Sequence, residues 1–286
     1  MNHSSTDVRD VEAAQKRFAS TDHLDDHFQS NRIGYRDLLH RAGIEPGWHV
    51  LDAGAGGGNY LPLIADLVGE TGKITALDLS AENVEIIRQR REEWDIPCPV
   101  EAVEGNVVSI PFDDDTFDAV WCANTSQFLS DEELDQSLRE FRRVTRPDGL
   151  VAIKDTEGAG NAIRTMHPEY IWRMHDRFKS WEHFRGAWRS WNLQRFLERA
   201  GLVAVWSQNT LIEHRAPLTE VERRSLSNFW SKVVAVRAVE LTREAGVDGD
   251  ELQFWVDLRD DTPDSVLNSP DFYSTEGQIL AVGRVP

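Results

Sequence analysis

Basic residues are scarce in this chain. Its 286 residues carry 31 Lys and Arg against 49 Asp and Glu, a formal net charge of −18. Nucleic-acid binding needs a basic face that neutralises phosphates, so the balance argues against that class of partner. Solubility accounts for most of the acidity. Cysteine is scarcer still. Cys98 and Cys122 cannot make a disulfide scaffold and suit a reducing, cytoplasmic setting. Cys122 closes an apolar run and reads as packing, and neither thiol has metal-ligand spacing with a histidine. No apolar run approaches the ~20 residues of a membrane span, so no membrane partner is expected. The first ten residues are polar, without the basic-then-apolar order of a signal peptide, and read as disordered. Internal repeats and low-complexity segments are missing too. With 40% hydrophobic residues the chain can bury a full core, as one large domain or a domain with a cap.

What is present centres on Val50-Leu51-Asp52-Ala53-Gly54-Ala55-Gly56-Gly57-Gly58-Asn59-Tyr60. Val50 and Leu51 end a buried strand, and Leu61, Leu63, Ile64, Leu67 and Val68 continue at helical spacing. Glycines between them let the backbone turn sharply and approach a ligand where a Cβ would collide. N–H groups opening the helix would face that ligand. The dinucleotide fingerprint G-x-G-x-x-G fails, because its third glycine is Asn59. The pattern here is G-x-G-x-G, preceded by Asp52. A phosphate cradle would not welcome that carboxylate, whereas a cofactor carrying an ammonium or sulfonium group would. Twenty residues after Gly58, Asp78 ends a second apolar run, Ile74-Thr75-Ala76-Leu77-Asp78, where a carboxylate can accept both hydroxyls of an adenosine ribose.

On these residues the chain resembles the class I S-adenosylmethionine-dependent methyltransferases, in the small-molecule branch that includes ubiquinone/menaquinone-biosynthesis-type enzymes. The resemblance runs over about Trp48 to Thr156, well under half of the chain. Glu104-Gly105-Asn106-Val107 falls where the family often has Gly-Asp, and Ile110 to Trp121 looks like its fourth strand and lead-in. Arg142 to Ile153, with Arg146-Pro147-Asp148-Gly149, looks like the helix, turn and fifth strand. The resemblance implies S-adenosyl-L-methionine as cofactor. It would be held by Asp52, Ala53, Gly54, Ala55, Gly56 and Gly58 at the first turn, Asp78 and Leu79 after the second strand, Asn106 and Val107 after the third, and Asn124 after the fourth. Two departures stand out. Asn106 replaces an acid, although an amide can still reach an adenine edge. Phe128 occupies a place where many relatives carry a histidine.

Strands at 48–53, 73–78, 99–104, 117–122 and 149–155 alternate with helices at 58–69, 81–93 and 131–145. Such alternation implies an α/β, doubly wound, Rossmann-like sheet with helices on both faces. A helix at about 191–200, a strand at 202–212, a long helix or helical pair at 217–246 and an acidic segment at 248–264 follow. Gln278 to Gly283 reads as the last strand, which by resemblance would insert antiparallel between the fifth and sixth, giving seven strands. Residues 1–47 form a helical leader, and 48–286 the methyltransferase domain, with cap insertions at about 156–190 and 214–275. Extra elements at strand ends are natural walls of an acceptor pocket, so the first insertion, with the leader, is expected to close over the acceptor.

Methyl transfer needs alignment more than proton chemistry, and a base only when the acceptor holds its proton. Candidates are His167, Tyr170 and His175 in the first insertion, Asp155 ending the fifth strand, and His23 and His27 in the leader. Nothing in the sequence chooses among them. The run Asp113-Asp114-Asp115 reads as an exposed turn, so no metal is expected. The leading expectation is methyl transfer to an O, N or C atom of a small, partly apolar metabolite, and a homodimer is possible. A catalytically inactive S-adenosylmethionine-binding protein is the alternative, favoured by Asn106 and Phe128. A nucleotide-dependent oxidoreductase is opposed by Asp52 and the missing third glycine.

Overall fold

The computed structural model describes residues 21–178, 182–247 and 249–286. A first helix, α1 (Thr21–Ala42), leads into alternating strands and helices: β1 (His49–Ala53), α2 (Leu61–Val68), β2 (Lys73–Asp78), α3 (Ala81–Arg91), β3 (Val100–Glu104), β4 (Phe117–Ala123), α4 (Asp131–Val144) and β5 (Thr145–Thr156). There follow β6 (Ala162–Ile163), α5 (Pro168–Phe178), α6 (Glu182–Arg189), α7 (Leu193–Arg199), β7 (Val203–Arg215), α8 (Glu220–Leu226), α9 (Ala235–Glu244), α10 (Asp250–Asp260) and β8 (Tyr273–Arg284). Ser227–Val234, between α8 and α9, winds as a π-helix, so the segment expected as a long helix or helical pair changes pitch midway.

Two compact units are distinguished. The larger comprises Ile33–Gly158, Phe184–Thr210 and Gly277–Pro286. Its sheet runs β3-β2-β1-β4-β5-β8, with β7 beside β8. β1 is parallel to β2 and β4, β2 to β3, and β4 to β5, while β8 runs antiparallel to β5 from Leu150↔Arg284 to Thr156↔Gln278. The last strand therefore lies between the fifth strand and β7, as the resemblance implied. Parallel strands buried on both faces read as near-continuous apolar runs, and β4 does apart from Asp118 near its start, with Phe117, Ala119, Val120, Trp121 and Cys122 fully buried. Leu134, Leu138, Phe141 and Val144, one face of α4, pack on that strand layer. Ser130 and Glu133 close a reciprocal capping box that fixes where α4 begins. α2 starts at Leu61 rather than 58, because Gly58 and Asn59 are still spent on the turn.

The smaller unit gathers the described residues before 33 with Ala159–His183 and Leu211–Glu276. There β6 pairs with the first residues of β8, Ala162↔Thr275 and Ile163↔Ser274, adding an eighth strand to the seven expected. Its core is built on Trp230, Trp255 and Leu258. The acidic segment after 248 contains a helix, α10. Its buried Glu251 accepts from Arg173 Nε at 2.7 Å and Arg177 Nη1 at 2.8 Å, which pairs a carboxylate that burial would otherwise penalise. Among the described residues no helix is long and apolar enough to cross a membrane.

Candidate cofactor site at the strand ends of the larger unit

The turn between β1 and α2 is tied down at three backbone points. Gly54 and Ala55 both donate to the Leu77 carbonyl, at 2.8 and 3.0 Å, and the Gly56 N–H donates to Asp78 Oδ2 at 2.8 Å. Gly54 (φ +80°) and Gly58 (φ +81°) occupy left-handed conformations that favour glycine. The protein itself also fills the space. A Cβ on Gly54 would lie 2.3 Å from Thr125 Oγ1, and one on Gly58 would lie 2.8 Å from the Trp94 ring. Sequence reasoning assigned these glycines to cofactor approach. At Gly54 and Gly58 the protein's own neighbours already exclude a side chain.

Asp78, at the carboxyl end of β2, has two tasks where the sequence suggested one. Oδ2 holds Gly56, while Oδ1 accepts from Ser80 N–H at 2.9 Å and Asn83 Nδ2 at 3.0 Å. An ionised carboxylate has about four acceptor directions, so these three bonds leave capacity for a ribose hydroxyl. Asp78→Ala is therefore expected to lose the turn's anchor together with any ribose bond. A loss of at least about 1.5–3 kcal/mol in S-adenosylhomocysteine affinity is expected by calorimetry. Unchanged affinity in a folded variant would refute the ribose assignment.

Asp52 lies one strand away and is buried, and its Oδ2 has no hydrogen-bond partner among the described residues. Burial, and then the charge of Asp78, raises its carboxyl to about 8. A buried acid without a partner is costly. A cationic ligand beneath the glycine turn would supply the missing counter-charge, and the ammonium of S-adenosylmethionine has that chemistry. The other expected cofactor residues surround the same strand ends. Leu79 is 69% exposed, an apolar platform of the kind an adenine ring covers. Asn106 closes its turn through Val108 N–H at 3.0 Å, which engages the side-chain oxygen, with Val107 buried beside it. Ala53 is buried within β1. Asn124 adopts φ +54°, a conformation Asn tolerates, and its Oδ1 accepts from Lys154 Nζ at 2.7 Å.

Lys154 was missed by sequence reasoning, although a lysine directly after the apolar run Val151-Ala152-Ile153, within the same strand, was a visible signal. It is fully buried, with Nζ 3.6 Å from the centre of the Tyr35 ring, a cation–π contact that offsets part of its desolvation. Tyr35 stacks on Tyr60 at 5.9 Å, so the second half of α1 belongs to the floor of this unit. Next along β5, Asp155 is buried with Oδ1 unpartnered among the described residues, while Oδ2 accepts a very short bond from the Ser126 hydroxyl. Burial raises its carboxyl to about 6, against the opposing pull of Ser126, Lys154 and Arg189. Arg189, also missed, donates to the carbonyls of Ser126 and Leu129 and to Asp131 Oδ1, pinning the segment after β4. Gly186 makes room for this. A Cβ there would fall 1.9 Å from the Gln127 carbonyl oxygen. Phe128, on the same segment, is 61% exposed.

The remaining catalytic candidates belong to the smaller unit. His167 is exposed, with its ring 5.5 Å from that of Tyr170, which also packs on Phe254 at 5.7 Å. His175 Nε2 is 3.1 Å from the Asn161 carbonyl oxygen. His27 Nε2 lies 3.0 Å from Glu276 Oε1. The side chain of His23 lies outside the described residues. Asp114 of the acidic run pairs with Arg143 at 2.9 Å.

Residues 50–149 match the family described as "Methyltransferase domain". Over 133 residues the chain is 30% identical to the ubiquinone/menaquinone biosynthesis C-methyltransferase UbiE of Hahella chejuensis, covering 46% of this chain and 53% of that protein. It is 32% identical over 142 residues to the 2-phytyl-1,4-naphtoquinone methyltransferase of Trichormus variabilis, covering 49% and 61%. The chain thus spans little more than half the length of these curated relatives. Among solved structures, the YcgJ protein from Bacillus subtilis aligns with a TM-score of 0.56 at 19% identity, over 91% of this chain and 100% of that one. The Haemonchus contortus phosphoethanolamine N-methyltransferase 2 aligns at 0.50 and 14%, over 87% and 52%. These two structures share the fold. The domain match and the motif order mark a class I S-adenosylmethionine-dependent methyltransferase domain over residues 50–149. Its sequence relatives are of the UbiE type.

Proposed function

We propose that the protein transfers a methyl group from S-adenosylmethionine to a reduced quinone-type acceptor, a small ring that is apolar apart from its oxygens. One observation carries the cofactor half: the buried, unpartnered Asp52 carboxyl beneath a glycine turn whose anchor, Asp78, keeps acceptor capacity. The acceptor half rests on the names of the sequence relatives, which are quinone methyltransferases. When bound, the cofactor supplies an electrophilic methyl group on a sulfonium. The chain's residues then bind, orient and manage a proton. Asp52 meets the ammonium, Asp78 the ribose, and Leu79 with Asn106 and Val107 the adenine.

Of the candidate bases, Asp155 has the environment such a role needs in the larger unit. It is buried, its Oδ1 has no partner among the described residues, and burial raises it to about 6. Lys154 and Arg189 favour its charged form, so it ionises below neutral pH. Ionised Asp155 would accept a hydroxyl proton of the acceptor through Oδ1 while Ser126 holds Oδ2.

The test has two stages. Calorimetry with S-adenosylhomocysteine and with NAD should show binding of the first alone. Wild-type protein given S-adenosylmethionine and reduced 2-phytyl-1,4-naphthoquinone should then form S-adenosylhomocysteine. Asp155→Asn is expected to lower turnover about 100-fold or more, typical of removing a general base, with cofactor affinity unchanged. Its acid limb near pH 6 should vanish. Binding without turnover on any quinol would favour an inactive cofactor-binding protein, and turnover by Asp155→Asn at the wild-type rate would remove Asp155 from the chemistry.

A further inference from the structure

β7 leaves one edge of the sheet open. Among the described residues it pairs with β8 and with no other strand. Its thirteen residues are exposed at nine positions, on both faces, including Val203, Trp206 and Leu211. A row of unpaired backbone donors and acceptors is a template for another strand. Proteins that must stay single protect such edges with lysines, prolines, a covering segment or a bulge. Between Val203 and Ile212 there is no charged residue and no proline, and most of the strand is exposed, with Ser207 donating to Gln194 Oε1 at 3.2 Å. A left-handed residue, Ala204 at φ +49°, interrupts the extended backbone at its second position and leaves the rest of the strand extended. The nearest charges, Glu213 and Arg215, are occupied with each other and with Tyr273: Glu213 accepts from the Tyr273 hydroxyl at 2.9 Å, and Arg215 stacks 3.6 Å over that ring.

We propose that this edge joins a second copy of the chain, β7 pairing antiparallel with β7 about a two-fold axis to continue the sheet across both molecules. Charge selects the occupant. Two chains of −18 repel one another over most of their surface. A ten-residue uncharged window is where two such chains approach at least electrostatic cost. Self-pairing about a two-fold requires residues opposite each other to share a parity. With the axis at Gln208, Val205 faces Leu211 of the second copy and Ser207 faces Asn209, so apolar meets apolar and polar meets polar. Trp206 then faces Thr210, and no like charges oppose. Cross-strand pairs of this kind are the unit of sheet stabilisation, and an isologous contact closes at two chains.

Light scattering coupled to size exclusion, on the full chain, should give the mass of two chains. Ser207→Lys with Asn209→Lys places lysine opposite lysine twice across the axis and should halve the mass. Ser207→Lys with Asn209→Glu places opposite charges at the same points and should restore the dimer. Both sites are exposed, and melting temperature with S-adenosylhomocysteine affinity verifies folding in each variant. Backbone amides of β7 should exchange more slowly in wild type than in the double-lysine form. A wild-type chain that remains a monomer at its highest soluble concentration overturns the proposal. So does a double-lysine variant that stays dimeric, or a β7 whose exchange is the same in both forms.

Discussion

Affinity for S-adenosylhomocysteine is expected to rise close to tenfold for each pH unit from about 6 to about 7.5, then level off above about 8. The cause is Asp52. Its carboxyl, raised to about 8 by burial and by Asp78, is protonated in the free protein at neutral pH. The ligand's ammonium needs the ionised form, so binding releases a proton, and each unit below 8 costs about 1.4 kcal/mol. Calorimetry in two buffers of different ionisation enthalpy should detect that proton. Asp52→Asn should bind weakly with a flat pH profile.

The same residue affects stability in the opposite sense. The folded-state value lies above the ordinary 3.8. The folded chain therefore holds a proton that the unfolded chain releases, and its stability falls as pH rises from about 4 to about 8. An amide does not titrate. Free Asp52→Asn should therefore melt higher than wild type near neutrality, by up to about 4 kcal/mol, while binding less. An Asp52→Asn variant that titrated like wild type, or melted lower at pH 8 than at pH 5 by the wild-type margin, would show that Asp52 is not the group responsible.

Gly54→Ala should reduce S-adenosylhomocysteine affinity at least about thirtyfold, roughly 2 kcal/mol. Its Cβ would meet Thr125 Oγ1 at 2.3 Å, Cγ2 at 2.6 Å and Cβ at 2.9 Å, so no rotation of the threonine relieves the clash. The left-handed φ of +80° adds about 1–2 kcal/mol of backbone strain. The Gly54–Ala55 link to Leu77 must then shift, and the Asp78–Gly56 bond with it. Combining Gly54→Ala with Thr125→Gly removes the steric part and should recover a portion of the affinity, the backbone cost remaining. A double variant no better than Gly54→Ala alone would show that Thr125 does not set the requirement.

Much of the candidate site could be read from local sequence. A strand end, a glycine turn and a following helix lie within a few residues of one another, so the order Asp52, Gly54, Gly56, Gly58 already implies their geometry. Asp78, Asn106 and Asn124 could be added because parallel strands place their carboxyl ends on one side. The last strand's antiparallel place beside β5 came from resemblance and from no pattern in its own residues. Element limits were less legible. α2 begins three residues late because the turn uses Gly58 and Asn59, and the acidic stretch after 248 hides a helix whose Glu251 is neutralised by arginines more than seventy residues away.

The sequence by itself determined the strand–turn–helix units and the residue types at their ends, because backbone stereochemistry and apolar periodicity act over short range. The tertiary structure alone decided which of those groups are stripped of water and which are partnered. Asp52 becomes an unpaired acid, Asp155 a half-partnered one, and Lys154 a buried cation facing Asn124 and Tyr35 because distant strands and helices exclude solvent around them. Desolvation and charge pairing depend on the whole surrounding volume, which no short stretch of sequence encodes. The open edge of β7 has the same origin: its residues look like any strand until the fold leaves no second described strand paired with them.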